Sequence, residues 1–158
     1  MRAFLAALVV AALCSSGCPS AYDRTYDRET QRLEQIRLQR EEAERQEARK
    51  YVAIVLFAVD SAVIDEAGFR ELNWFLDKIR PYPHLSVEVK GYTDSTGTEA
   101  HNQPLSNERA WAVQDYLVSQ GIPADRIFTS GFGASDPARP NVDYRGRKQN
   151  RRAEVRVR

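Results

Sequence analysis

Asp94 and Arg109 lie in the stretch GYTDSTGTEAHNQPLSNERA, residues 91–110, and neither residue type helps a core. The acid sits in a polar loop punctuated by glycines, and the arginine follows Pro104 in what reads as the start of a helix. One carboxylate and one guanidinium a few ångströms apart complement a carbon that carries both –NH3⁺ and –COO⁻. The planar guanidinium fork grips a carboxylate at two points, which a lysine does not. The same two residues could instead pair with each other and tie the loop to the helix, for about 0–1 kcal/mol if exposed. Spacing alone favours that ion pair, so the rest of the chain must decide.

Other chemistries find less support. His84 and His101 are far apart in the sequence with no Cys or acid cluster at metal-ligand spacing, so neither a metal nor a cofactor is expected. Asp60 and Asp94 are candidates for a glycosidase pair, but hydrolysis needs two carboxylates flanking the bond, and the companion of Asp94 here is an arginine. The run TSGFG (129–133) lacks the nucleophile-elbow pattern. Trp74 and Trp111 fall on helical segments and are expected to pack in the core or at its edge.

The elements that must position the acid and the arginine follow from periodicity. YVAIVLF (51–57) is a continuous β-branched and aromatic run, which predicts a strand buried on both faces. A helix is expected from Asp65 or Glu66, with Phe69, Leu72, Leu76 and Ile79 at helical spacing and Pro81 as its stop. LSVEVKGYT (85–93) alternates as a strand. The second helix is expected to begin near Gln103-Pro104 and run to Gln120, with Leu105, Ala110, Val113 and Leu117 inward and Gly121 as the stop. This places Arg109 in an early turn, where the helix dipole favours an anion. Gly91 and Gly97 are read as letting the loop bend. RIFTSGFG (126–133) and AEVRVR (153–158) supply two further strands, joined by a long polar loop over 134–150. The expected fold is α+β, two helices on one face of a mixed four-stranded sheet in the order β-α-β-α-β-β.

At 158 residues and 28% charged, the chain has room for one ordinary domain plus extensions. A net charge of +1 argues against nucleic acid as a partner. The charge is uneven, with eight Lys/Arg against two acids between Arg139 and Arg158; a solvated edge and an anion-binding face are both readings of it. Residues 22–50 are mostly Arg, Glu, Gln, Asp, Thr and Ala, too poor in apolar side chains to bury against a partner. They read as a spacer, helical or partly disordered. At the N-terminus, Met1-Arg2 precedes an eleven-residue apolar run, Ala3 to Leu13, which suits a secretory signal peptide and falls short of the roughly 20 residues that span a bilayer. Ser15-Ser16-Gly17-Cys18 resembles the lipobox of bacterial lipoproteins, with Ser15 where an aliphatic residue is usual. That resemblance implies a signal peptide over 1–17, an acylated Cys18 at the head of an 18–50 spacer, and a folded module over 51–158. Plain secretion, with Cys14 and Cys18 incidental or bridged, is the other reading. Two or more acyl chains would give stable anchoring.

The motifs converge at this point. GYTDSTGTEAHNQPLSNERAWAVQDYLVSQGI, RIFTSGFGASDP and GRKQNRRAEV, with FAVDSAVID (57–65) ahead of them, resemble in order and spacing the OmpA C-terminal-like domain family, which also occurs in MotB and in peptidoglycan-associated lipoproteins. The lipoprotein-type N-terminus brings the chain nearer to the lipoproteins than to MotB. The resemblance implies non-covalent, non-enzymatic binding of peptidoglycan through the diaminopimelate of the stem peptide. By it, Asp94 takes the ligand's ammonium and Arg109 its carboxylate. Asn102 and Leu105 line the pocket, Thr93 and Asp60 contribute, and Arg151 supports the site. The resemblance further implies anchoring through Cys18 on the periplasmic face of the outer membrane. Pro19-Ser20, with no Asp in second position, leans the same way. Tol-type periplasmic proteins are the alternative partners, with wall binding then secondary.

Overall fold

The structure is a computed structural model that describes residues 21–158; segment 1–17, expected to be a signal peptide, and Cys18 lie outside the described residues. The chain divides into two units, the second being Ala43–Arg158. Helix α1 (Ala21–Ala48) takes up most of the charged segment. Within it Arg37 lies 3.6 Å from Glu34 and 3.7 Å from Glu41, while Tyr26, Leu33, Ile36 and Leu38 stay exposed. Ion pairs one turn apart, rather than a buried stripe, support this helix. Among the described residues no helix is long and apolar enough to cross a membrane.

In the second unit, β1 (Val52–Leu56) leads to α2 (Glu66–Ile79), β2 (Val87–Gly91) and α3 (Glu99–Ser119). A single 3-10 turn (Ala124–Arg126) then precedes β3 (Ile127–Gly131), α4 (Tyr144–Asn150) and β4 (Arg152–Val157). The sheet order is β1-β4-β2-β3. β2 and β3 run parallel, and β4 is antiparallel to both β1 and β2. Alternation sends Ala53, Val55, Val87, Val89, Ile127, Ala153, Val155 and Val157 to one face. There they meet Leu72 and Phe75 of α2 and Ala110, Val113 and Leu117 of α3 in one core. The fold is the expected α+β arrangement, two helices over one face of a mixed four-stranded sheet.

Local chemistry sets the helix starts. The Asp65 carboxylate accepts from the Gly68 amide at 2.8 Å and caps α2. The buried stripe of α2 is Gly68, Leu72, Phe75 and Ile79. Phe69, expected inside, is half exposed and packs on Tyr116 with ring centroids 4.9 Å apart. Helix α3 begins at Glu99, behind Thr98, four residues ahead of the expected start, so Pro104 lies inside it. The proline deprives only the Ala100 carbonyl of its helical donor, and Ala100 is exposed to water, so the helix passes through.

Other expectations need correction too. β1 is not buried on both faces: Val52 is 40% and Ile54 47% exposed, because both helices settle on one side and leave the other face of the sheet open. The 134–150 segment is not a bare loop, since it contains α4, which the Asp143 carboxylate caps by accepting from Gly146 N. Trp111, expected in the core or at its edge, is 53% exposed, whereas Trp74 keeps to the edge, meeting Tyr51 edge to face at 6.2 Å where Tyr51 packs against the core.

The two loop glycines also differ in role. Gly97, at φ +92, sits where a side chain is strained, with its nearest neighbour atom 3.5 Å from any added Cβ. Gly91 is needed for close approach, because a Cβ there would lie 1.9 Å from the Ser106 carbonyl oxygen of α3. Gly97→Ala should therefore lower stability by about 1–2 kcal/mol, the cost of a left-handed residue. Gly91→Ala must push α3 off the sheet and should cost more, about 3 kcal/mol or above. Urea midpoints of the two variants read the difference.

Candidate functional site

Three loops and one helix converge at the end of the sheet where β2 finishes. Beyond Gly91 the chain stays pinned, with Tyr92 N donating to Arg152 O at 2.8 Å and Thr93 N to Gly133 O at 2.7 Å. Asp94 then turns back on itself. Its Oδ1 accepts from Thr96 N at 2.9 Å and its Oδ2 from Arg151 Nη1 at 2.8 Å. The ion pair weighed between Asp94 and Arg109 is therefore not the one that forms; Arg151, 57 residues along the chain, takes that place.

Arg109 is buried outright and is the largest fully buried side chain among the described residues. It lies in the third turn of α3, not an early one, so the dipole at the helix start does not act on it. What neutralises its burial is a set of carbonyls. Nε donates to Ser61 O at 2.9 Å, Nη1 to Tyr92 O at 2.8 Å and Nη2 to Ala58 O at 3.1 Å. The Phe57 ring lies beneath, 5.3 Å from its Cζ. A guanidinium has five N–H donors. Three are engaged here, which leaves one on each terminal nitrogen.

A cleft of about 270 Å³ opens between these groups, lined by Val59, Asp60, Thr93, Asp94, Thr96, Gly97, His101, Asn102, Leu105, Arg109 and Arg151. All seven pocket residues expected from the sequence, Asp60, Thr93, Asp94, Asn102, Leu105, Arg109 and Arg151, lie on this one cleft. Asn102, Leu105 and Arg109 share a face of α3, and Asn102 Nδ2 donates to Thr96 O at 3.1 Å, holding the loop rim. Thr93 is 3% exposed and its hydroxyl has no hydrogen-bond partner. Asp60 has a positive φ of 51°, a backbone state that Asp tolerates better than most residues, and its Oδ1 lies 2.8 Å from His101 Nε2. The sequence reading missed His101. With the helix expected from Gln103, His101 fell outside it; the observed start at Glu99 puts His101 one position ahead of Asn102 on the same rim.

The electrostatics are those of a balanced set. Burial alone would raise the Asp94 pKa, but the Arg151 guanidinium and the Thr96 bonds outweigh it and hold the carboxyl below the usual carboxylate value. Burial, with the like charge of Arg151, pushes Arg109 down to about 10, against the pull of Asp94 and Asp60; it remains a cation at neutral pH. Two carboxylates and two guanidinia thus share the cleft, with formal charges that cancel. Among the described residues no group of His, Cys, Asp and Glu could hold a metal ion. A larger groove of about 410 Å³ lies where α2 and α3 end, but none of its charged residues, Asp77, Arg80 and Arg126, is buried.

Comparison with known proteins bears on this cleft directly. The OmpA family matches residues 56–151, an interval that contains every one of the seven residues. Peptidoglycan-binding protein ArfA of Mycobacterium tuberculosis is 42% identical over 101 residues, 64% of this chain and 31% of ArfA. "Probable lipoprotein YiaD" of Escherichia coli is 41% identical over 101 residues, 64% of this chain and 46% of that protein. The chain thus spans less than half the length of these relatives. Among solved structures, the peptidoglycan-associated lipoprotein from Burkholderia pseudomallei superposes with a TM-score of 0.63 at 25% identity, over 67% of this chain and 90% of that one.

Two stability measurements check the geometry. Arg109→Leu strands three carbonyls that now accept from it, and at about 1–3 kcal/mol for each buried acceptor left unpaired the loss should be about 3 kcal/mol or more. For Asp94, a depressed folded-state pKa means a contribution fully present above the ordinary Asp value of about 3.9 and lost as pH falls through the folded value. The stability gap between wild type and Asp94→Asn should be widest above about pH 4 and narrow below it. A gap that stays constant to lower pH contradicts the Arg151–Asp94 pairing.

Proposed function

This chain belongs to the OmpA family, and from that premise we propose that its cleft binds peptidoglycan non-covalently by the amino-acid headgroup of diaminopimelate. The observation that carries the reading is the buried Arg109, with one N–H on each terminal nitrogen left without a partner, lining a cleft that also holds Asp94 and an unpartnered Thr93 hydroxyl. In this reading the headgroup carboxylate docks end-on against Nη1 and Nη2. The ammonium beside it lies against Asp94, whose remaining lone pairs are free to accept, with Asp60 at the mouth. The Thr93 hydroxyl completes the ring of contacts. Relatives named for peptidoglycan binding and for a peptidoglycan-associated lipoprotein support the assignment.

The chemistry also gives selectivity. A stem peptide whose third residue ends in a bare amine offers no carboxylate to Arg109. Two N–H groups of a buried guanidinium would stay unpaired, and sites built to pair a polar group reject ligands that lack it. With Cys18 acylated, binding of this kind ties the outer membrane to the wall, and the charged residues after Cys18 act as the spacer. Reversible attachment is sufficient for that role, and no bond in the ligand is made or broken.

Sedimentation with purified sacculi tests the proposal. Wild type should pellet with diaminopimelate-type walls and not with lysine-type walls. Asp94→Asn should weaken binding about tenfold, the loss of one charge-assisted contact. Thr93→Val should weaken it about three- to tenfold while leaving the fold as stable or up to about 1 kcal/mol more so, because it removes a buried hydroxyl with no partner. Wild-type pelleting of both variants would sink the assignment.

A further inference from the structure

One contact on the cleft is left over by this account. His101, in the first turn of α3, has Nε2 2.8 Å from Asp60 Oδ1, so the carboxylate nearest the mouth already has a partner. That partner becomes a cation whenever the imidazole is protonated. The two side chains are 53% and 67% exposed, and a pair so exposed holds together by about 0–1 kcal/mol, which a ligand can displace. The charged groups around the imidazole come from every wall of the cleft. Asp60 is on the β1–α2 loop, Asp94 on the loop after β2, Arg109 on α3 itself, and Arg151 just ahead of β4. With a neutral imidazole these four cancel, which matches a zwitterion. With a protonated imidazole the cleft carries one surplus positive charge, seated on the acid that an incoming ammonium would approach.

We propose that His101 is the selectivity residue of the cleft, a resident competitor for the ligand's ammonium whose protonation weakens zwitterion binding and spares ligands that bring only a carboxylate. The inference rests on the wall-binding reading above and adds to it a residue and a condition. The direction follows from charge. Raising pH removes the positive charge that competes with the ligand's ammonium at Asp60, and strengthens binding of the zwitterion. Lowering pH tightens the His101–Asp60 pair and repels the ammonium.

The test uses the full chain and a disaccharide–tripeptide muropeptide ending in meso-diaminopimelate, compared with the same muropeptide acetylated on its free amine. Titrations followed by NMR or calorimetry at about pH 5.5 and pH 8 read the affinities. Wild type should bind the free-amine muropeptide about three- to fivefold more weakly at the lower pH, the scale of one exposed charge pair, and its preference over the acetylated form should shrink in parallel. His101→Gln should bind as wild type does at high pH and show no such dependence. His101→Lys, a permanent cation on an exposed position, should bind weakly at both. If His101→Gln keeps the wild-type pH profile, or His101→Lys binds as tightly as His101→Gln, the competitor role is wrong although wall binding stands. Absence of muropeptide binding by wild type at either pH overturns both readings together.

Discussion

A single buried guanidinium organises the functional end of this domain. Arg109 reaches from α3 to carbonyls of two different loops, Ala58 and Ser61 after β1 and Tyr92 after β2. Taking a cation out of water costs several kcal/mol unless it is fully surrounded by acceptors. Here most of the surround is neutral peptide oxygen, with the Phe57 ring below and carboxylates only at a distance. That environment exists only when helix and both loops are in register, so the cost of burying the charge enforces the geometry of the cleft. It also explains why the residue still has something to offer. Carbonyls satisfy three donors without neutralising the charge, which a direct carboxylate pair would have done.

The neighbouring arginines divide the remaining work. Arg151 donates to the Phe57 carbonyl and to Asp94, fixing the carboxylate that Arg109 leaves free. Arg152, next along, points to the opposite face of the sheet, as strand alternation requires. There its Cζ lies 3.9 Å over the Tyr92 ring and its Nε donates to Glu154. One basic dipeptide thus serves two faces, and the cluster of charge near the C-terminus, which composition could describe only as an edge or an anion-binding face, resolves into separate tasks. Residues Arg151 and Arg152 belong to packing and positioning, each nearly buried.

The layers of the fold were legible because each rests on a local period. β2 alternates cleanly, and α2 begins at an aspartate that caps it. What escaped were features decided by tertiary contact. Pro104 looked like a helix start because proline is tolerated there, and only the solvation of Ala100 shows why the helix can begin earlier. That four-residue shift moved Arg109 from an early turn to the third and replaced a dipole argument with carbonyl ligation. β1 looked buried on both faces because its side chains are apolar throughout; nothing local says which side the helices will choose. The partner of Asp94 lies 57 residues away, beyond any spacing rule, and Gly91 owes its identity to a helix carbonyl rather than to the turn it precedes. α4 was readable after all, in an aspartate followed three residues later by Gly146, but a loop rich in Pro and Arg hid it.

Asp60 shows how the cleft couples its two charges. Its backbone is left-handed, a state that costs about 1–2 kcal/mol for a residue with a side chain and persists only where neighbours impose it. The neighbours are the carbonyls of Ala58 and Ser61, which bracket residues 59 and 60 and are both held by Arg109. The guanidinium therefore sets the position of the acid at the mouth without touching its carboxylate. A ligand anion that draws on the free N–H groups of Arg109 acts on a side chain already fastened to both ends of the Asp60 turn. Arg109 and the Asp60 turn are consequently one mechanical unit, and under the proposed reading that suits a headgroup whose two charges hang from one carbon better than it suits either charge alone.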